Sequence, residues 1–161
     1  MTKRGDVAVL QRALHACAVE RVLRGVCDAL ATKTDTWRMA YVTACRESLA
    51  LAADVGEWHR VADTMTGAAE THQLYELDDQ LADMLQRVTY TREQWQHYQT
   101  ATEAETDRYQ LAARAAREAR DDYRRMVTDR AAAADLPAYI DMLAIVDAVA
   151  AVVAPEARRG R

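Results

Sequence analysis

The side chains with most chemistry to offer are His15, His59, His72 and His97, the cysteines Cys17, Cys27 and Cys45, and Ser48, the single serine of the chain. A di-iron helical site needs carboxylates and two Glu-x-x-His pairs facing inward. The nearest approaches are His72 with Glu76 and Glu93 with His97, four residues apart, which is the spacing of ordinary surface pairs along a helix. No His-Glu-x-x-His is present. His15 is two residues from Cys17, so the two point to different helix faces and cannot form a thiolate–imidazole pair. Ser48 sits in a helical pattern with no glycine beside it, which excludes a nucleophile elbow. The five glycines are isolated, so no phosphate-binding loop forms. The expectation is a protein without catalytic residues, metal ligands or cofactor.

Arginines form the most suggestive cluster: Arg114, Arg117, Arg120, Arg124, Arg125 and Arg130. Arg117, Arg120 and Arg124 share a helix face and could follow a phosphate backbone or an acidic partner. Arg117 with Asp121, and Asp121 with Arg125, are also spaced to pair along the helix, which favours a solvated, salt-bridged face.

The element that carries this cluster runs from Ala68 to Leu136, between Gly67 and Pro137, and holds neither glycine nor proline. Within it, positions alternately three and four apart read Leu74, Leu77, Leu81, Met84, Val88, Thr91, Trp95, Tyr98, Thr102, Glu105, Tyr109, Ala112, Ala116, Ala119, Tyr123 and Met126. Such a heptad seam must be buried against another helix, of this chain or of a second copy. Trp95, Tyr98, Tyr109 and Tyr123 occupy seam positions, which makes them core rather than base-stacking platforms. Two sites can break the helix. Tyr90 to Trp95 matches a capping box, Thr91 with Gln94, plus a hydrophobic staple, and Thr100 to Thr106 is rich in threonine. A hairpin at the second site would set Val88 against Ala116 and Leu81 against Tyr123. The unbroken heptad phase favours one continuous helix.

Before this stretch, residues 1–66 read as an N-terminal helical head. A first helix spans about Asp6 to Ala31, with Val9, Ala13, Ala16, Val19, Leu23, Val26, Cys27 and Leu30 on its apolar side. A turn is expected over Thr32 to Asp35, where Thr34 or Thr36 can cap a second helix. That helix carries Trp37, Tyr41, Ala44, Cys45, Ser48, Leu49 and Ala52 on one face, and Gly56 closes it. A short helix, Glu57 to Met65, follows.

After the stretch, Pro137 stops one helix and suits the first turn of another. Residues 137–154 are apolar nearly all round, with Ile140, Leu143, Val146 and Val149 expected in a core or a subunit contact. Asp141 and Asp147 argue against a membrane span, since each costs about 2.5–3.5 kcal/mol at mid-helix. Residues 155–161 are expected to be a disordered tail.

The totals agree with this plan. A chain of 161 residues is the size of one domain. Phenylalanine is absent and glycine and proline are few, which excludes a turn-rich all-β fold. The net charge of −4 argues against a dedicated nucleic-acid binder. It is unevenly spread: residues 67–113 carry 3 basic and 9 acidic groups, whereas residues 114–134 carry 6 and 4. An odd number of cysteines without metal-like spacing reads as free thiols in a reducing compartment. Lys3 and Arg4 precede no apolar run of signal-peptide type. Richness in alanine and arginine with little lysine points to a bacterial or phage protein of the cytoplasm.

The sequence therefore predicts an all-α protein: a helical bundle with a long heptad-patterned, coiled-coil-like helix or helical hairpin. Its expected function is that of a non-enzymatic interaction protein, an oligomerising scaffold or adaptor subunit, with a homo-oligomer or a protein partner and no membrane. The alternative is a small subunit that contacts nucleic acid through the Arg114–Arg130 face.

Overall fold

The computed structural model describes residues 3–62 and 68–129. Every described residue lies in one of two α-helices, α1 (Lys3–Ala62) and α2 (Ala68–Asp129). The two pack against each other as a helical hairpin, and the described residues contain no strand. The all-α class read from the sequence holds.

Helix α1 runs unbroken through the positions expected to turn. Thr34 donates its hydroxyl to the carbonyl of Leu30, and Thr36 to that of Thr32, both at 2.9 Å. Each hydroxyl thus finds its acceptor one turn back inside the helix, and neither threonine caps a new one. Gly56 does not close the helix, because no described glycine has a positive φ. A left-handed residue is what that kind of helix ending requires. The deeper reason for continuity is heptad phase. Asp6, Ala13, Glu20, Cys27, Thr34, Tyr41, Ser48 and Val55 stand seven residues apart, and so do Val9, Ala16, Leu23, Leu30, Trp37, Ala44, Leu51 and Trp58. All of them are buried or half-buried. A seam in constant phase gives the helix the same buried side before and after Thr32–Asp35, so packing outweighs the weak local turn signal.

Helix α2 is likewise continuous through both proposed break sites. The Thr91 hydroxyl bonds the carbonyls of Arg87 at 2.8 Å and Val88 at 3.1 Å, and so does not serve as a cap. Thr100 and Thr106 bond Gln96 and Thr102 in the same way. The hairpin inside residues 68–136 is therefore not formed. Ala116 packs with Cys17 and Tyr123 with Ala13, in place of Val88 and Leu81.

The contacts group into two compact units. Unit 1 combines Met1–Ala29 with Thr102–Arg161, and unit 2 is Leu30–Ala101. In unit 1 the core is Ala13, Ala119 and Tyr123, ringed by Val9, Leu10, Leu14, Met126 and Val127, with Cys17 and Ala116 beside it. Alanines on both sides let the backbones approach closely, and Tyr123, 1% exposed, fills the space they leave. Further along α1, Arg24 meets Tyr109, so the pairing in this unit is antiparallel. In unit 2, Lys33 lies over the Tyr98 ring, Tyr41 stacks on Trp95 and Glu47 meets Arg87, which is antiparallel as well.

The expected end of the long helix at Leu136–Pro137, the buried helix 137–154 with Ile140, Leu143, Val146 and Val149, and the tail 155–161 lie outside the described residues. So does the punctuation at Thr66–Gly67.

Candidate interaction surface

The seam of α2 begins with the spacing of its residues and ends as the surface it presents to α1. In unit 2, Leu74, Leu77, Leu81, Met84, Val88, Trp95 and Tyr98 are half-buried and Thr91 is buried. In unit 1, Tyr109 and Met126 are half-buried, and Tyr123 is closed off from solvent. Polar groups share the seam. Glu20 pairs with Arg24 at 3.1 Å, and Glu105 with Arg108 at 3.0 Å, both carboxylates being mostly covered. Such polar positions lower stability but specify which residues stand opposite one another.

Rings and ion pairs join the helices at the edges of this seam. Tyr41 and Trp95 stack with centroids 5.6 Å apart, and Trp37 meets Tyr90 edge-on at 5.7 Å. Arg24 donates to the Tyr109 hydroxyl at 3.2 Å while its guanidinium carbon sits 5.7 Å from the ring centre. That hydrogen bond pushes the guanidinium pKa up. His59 bonds Asp78 at 3.1 Å from α1 to α2.

The arginine cluster is split by the fold. Arg117 and Arg124 are exposed, whereas Arg120 is half-buried beside Cys17. Arg114 is exposed, Arg125 bonds Asp122 at 3.0 Å, and Arg130 lies outside the described residues. Burial pushes the Cys17 thiol up, with the Arg120 charge opposing it in part. Burial also raises Cys27, reinforced by the nearby Glu105 carboxylate and opposed by a hydrogen bond with Thr106. All three cysteines are free. His72 pairs with Glu76 at 3.2 Å on the surface, and His97 lies edge-on to Tyr98. Among the described residues no three His, Cys, Asp or Glu side chains are placed to hold a metal ion. No described helix is long and apolar enough to cross a membrane.

Two helices do not cover all the apolar surface that α1 and α2 carry. Leu49 is 71% exposed and Leu111 and Tyr75 are each 65% exposed, with Met39, Leu85, Tyr90 and Val7 about half exposed or more. Leu49 and Ala52, expected on the buried face of α1, point to solvent instead, because the seam there runs through Ser48, Leu51 and Val55. In unit 2 an open groove of ≈ 370 Å³ is lined by Asp54, Glu57, Trp58 and Val61 of α1 and by Gln73 and Leu77 of α2. Sequence reasoning missed this groove and the full seam of α1. The common heptad phase on both sides of Thr32–Asp35 was the signal for the seam. The groove has no signal in one helix alone, since it needs both walls.

No protein-family model, curated protein or solved structure matches this chain.

Proposed function

We propose that this chain is a non-enzymatic interaction protein of the cytoplasm, an oligomerising scaffold or adaptor subunit whose helices complete their packing on a further chain. One observation carries this reading. Among the described residues Tyr123 is the only large side chain that is fully buried, while the seam leucines Leu74, Leu77 and Leu81 stay half-open and Leu49, Tyr75 and Leu111 are largely bare. These open side chains and the half-open seam are apolar surface that a further chain would cover. Light scattering coupled to size exclusion tests the proposal. A stable multimer of the 18.0 kDa chain at micromolar concentration is expected, and a clean monomer refutes it.

A second reading, contact with a nucleic-acid backbone through the Arg114–Arg130 face, is supported by the exposure of Arg114, Arg117 and Arg124. The half-burial of Arg120, the tie between Arg125 and Asp122 and the interaction that Arg124 already makes count against it. Its mark is salt-dependent binding of DNA or RNA that is lost when Arg117, Arg120 and Arg124 become alanine. Absence of binding at low salt removes it.

A further inference from the structure

The groove of unit 2 has an apolar floor and an acidic rim. Trp58, Val61 and Leu77 supply the floor, and Asp54 and Glu57 stand at the edge. Glu57 shares its charge with Arg60 at 3.4 Å, an exposed and loose pair, while Asp54 makes no ion pair with another described residue. His59 of α1 and Asp78 of α2 bond at 3.1 Å at this level. An apolar side chain flanked by cations is the chemistry such a groove accepts, because the floor rewards desolvation and the rim and the Trp58 ring both attract positive charge.

Unit 1 of the same chain carries that chemistry. Leu111 is 65% exposed on α2. Arg114 follows it by three positions, one turn on along the same face, and Arg117 by six, about 120° round the helix from Leu111. Both are exposed, and neither is held in an ion pair with another described residue. Their neighbours are already committed, Arg108 to Glu105 and Arg125 to Asp122.

We infer that a second copy of the chain seats its Leu111, flanked by Arg114 and Arg117, in the groove formed by Trp58, Leu77 and Asp54. The inference rests on the oligomeric reading above and names the contact that would build the oligomer. Knob and groove are different surfaces, so the contact is heterologous. It closes when two copies exchange knobs or when a ring completes, and it otherwise extends from copy to copy.

Charge exchange in the full-length chain tests this. Variant one carries Asp54→Arg and Glu57→Arg, variant two carries Arg114→Glu and Arg117→Glu, and variant three carries all four changes. Native mass spectrometry and light scattering read the association, and circular dichroism confirms that helix content is retained. Variants one and two should each associate about tenfold or more weakly than the natural chain. Their equimolar mixture and variant three should recover association, because opposite charges again meet between copies. Leu111→Ala, which leaves every charge in place, should weaken association too. If the natural chain associates and these variants match it, or if variant three does not recover, the assigned contact is wrong and the oligomeric reading survives. If the natural chain is a monomer, both fall.

Discussion

Glu47 of α1 and Arg87 of α2 form an ion pair at 3.1 Å although forty residues separate them. The pair exists only because α1 and α2 lie side by side in unit 2. It is therefore a probe of the pairing itself. Both side chains are about half exposed, so the pair contributes about 0.2–1 kcal/mol and is screened by salt.

Reversing either partner, Glu47→Arg or Arg87→Glu, should lower stability by about that amount, and reversing both should restore it. Urea melts of the four proteins at low salt measure the coupling. A double variant less stable than either single one would contradict the pairing.

Gly25 and Gly56 lie inside α1, and a methyl group added at either would meet nothing within 4 Å. Neither has a positive φ. Gly25→Ala and Gly56→Ala should each stabilise the protein by about 0.5–1 kcal/mol, through better helix propensity and a less flexible unfolded chain. A rise in the denaturation midpoint is the expected result. A fall at Gly56 would restore the helix ending that the sequence suggests there.

Tyr123 fills the gap between alanines in unit 1. Tyr123→Ala should cost about 3–5 kcal/mol, as other large-to-small changes of buried rings do. Leu49→Ala, at a bare position, should stay within about 0.5 kcal/mol by the same measurement on the dissociated chain. Equal losses at the two sites would contradict the burial pattern.

Cys17 is 4% exposed and its thiol is pushed up by burial. A thiol whose pKa is higher folded than unfolded binds its proton more firmly in the folded state. Its contribution to stability is complete below the ordinary thiol range and declines as the pH rises through and above it. Alkaline destabilisation should therefore be smaller in Cys17→Ala than in the natural chain. At neutral pH an alkylating reagent should modify Cys17 more slowly than Cys45, read by mass spectrometry of peptides. Equal rates would show that Cys17 is open to solvent.

Much of the fold was legible in the chain. The seam from Leu74 to Met126 could be read because period and residue type agree there, and each of its positions is buried or half-buried in the structure. Local chemistry misled at Thr32–Asp35, Gly56 and Thr91. A threonine can cap a helix or bond back into one with the same hydroxyl, and only the packing of its flanks selects between the two. The candidate surface was legible in half, since an arginine row can be seen in one helix and its splitting cannot.

The sequence by itself determined that the chain is helical, that its long segment must bury one stripe, and that its charge is acidic before Arg114 and mixed with excess arginine after it. Those are properties of single residues and of a helical period, which need no partner to be expressed. Only the tertiary structure decided that the stripe of α2 faces α1, that Tyr123 meets Ala13, that Arg120 is half-buried while Arg117 and Arg124 stay exposed, and that Trp58 and Leu77 line a groove. Each of these depends on the relative register of two helices far apart in the chain. A heptad repeat constrains that register only to within whole turns, and the choice among turns is made by side chains that meet across the helix pair.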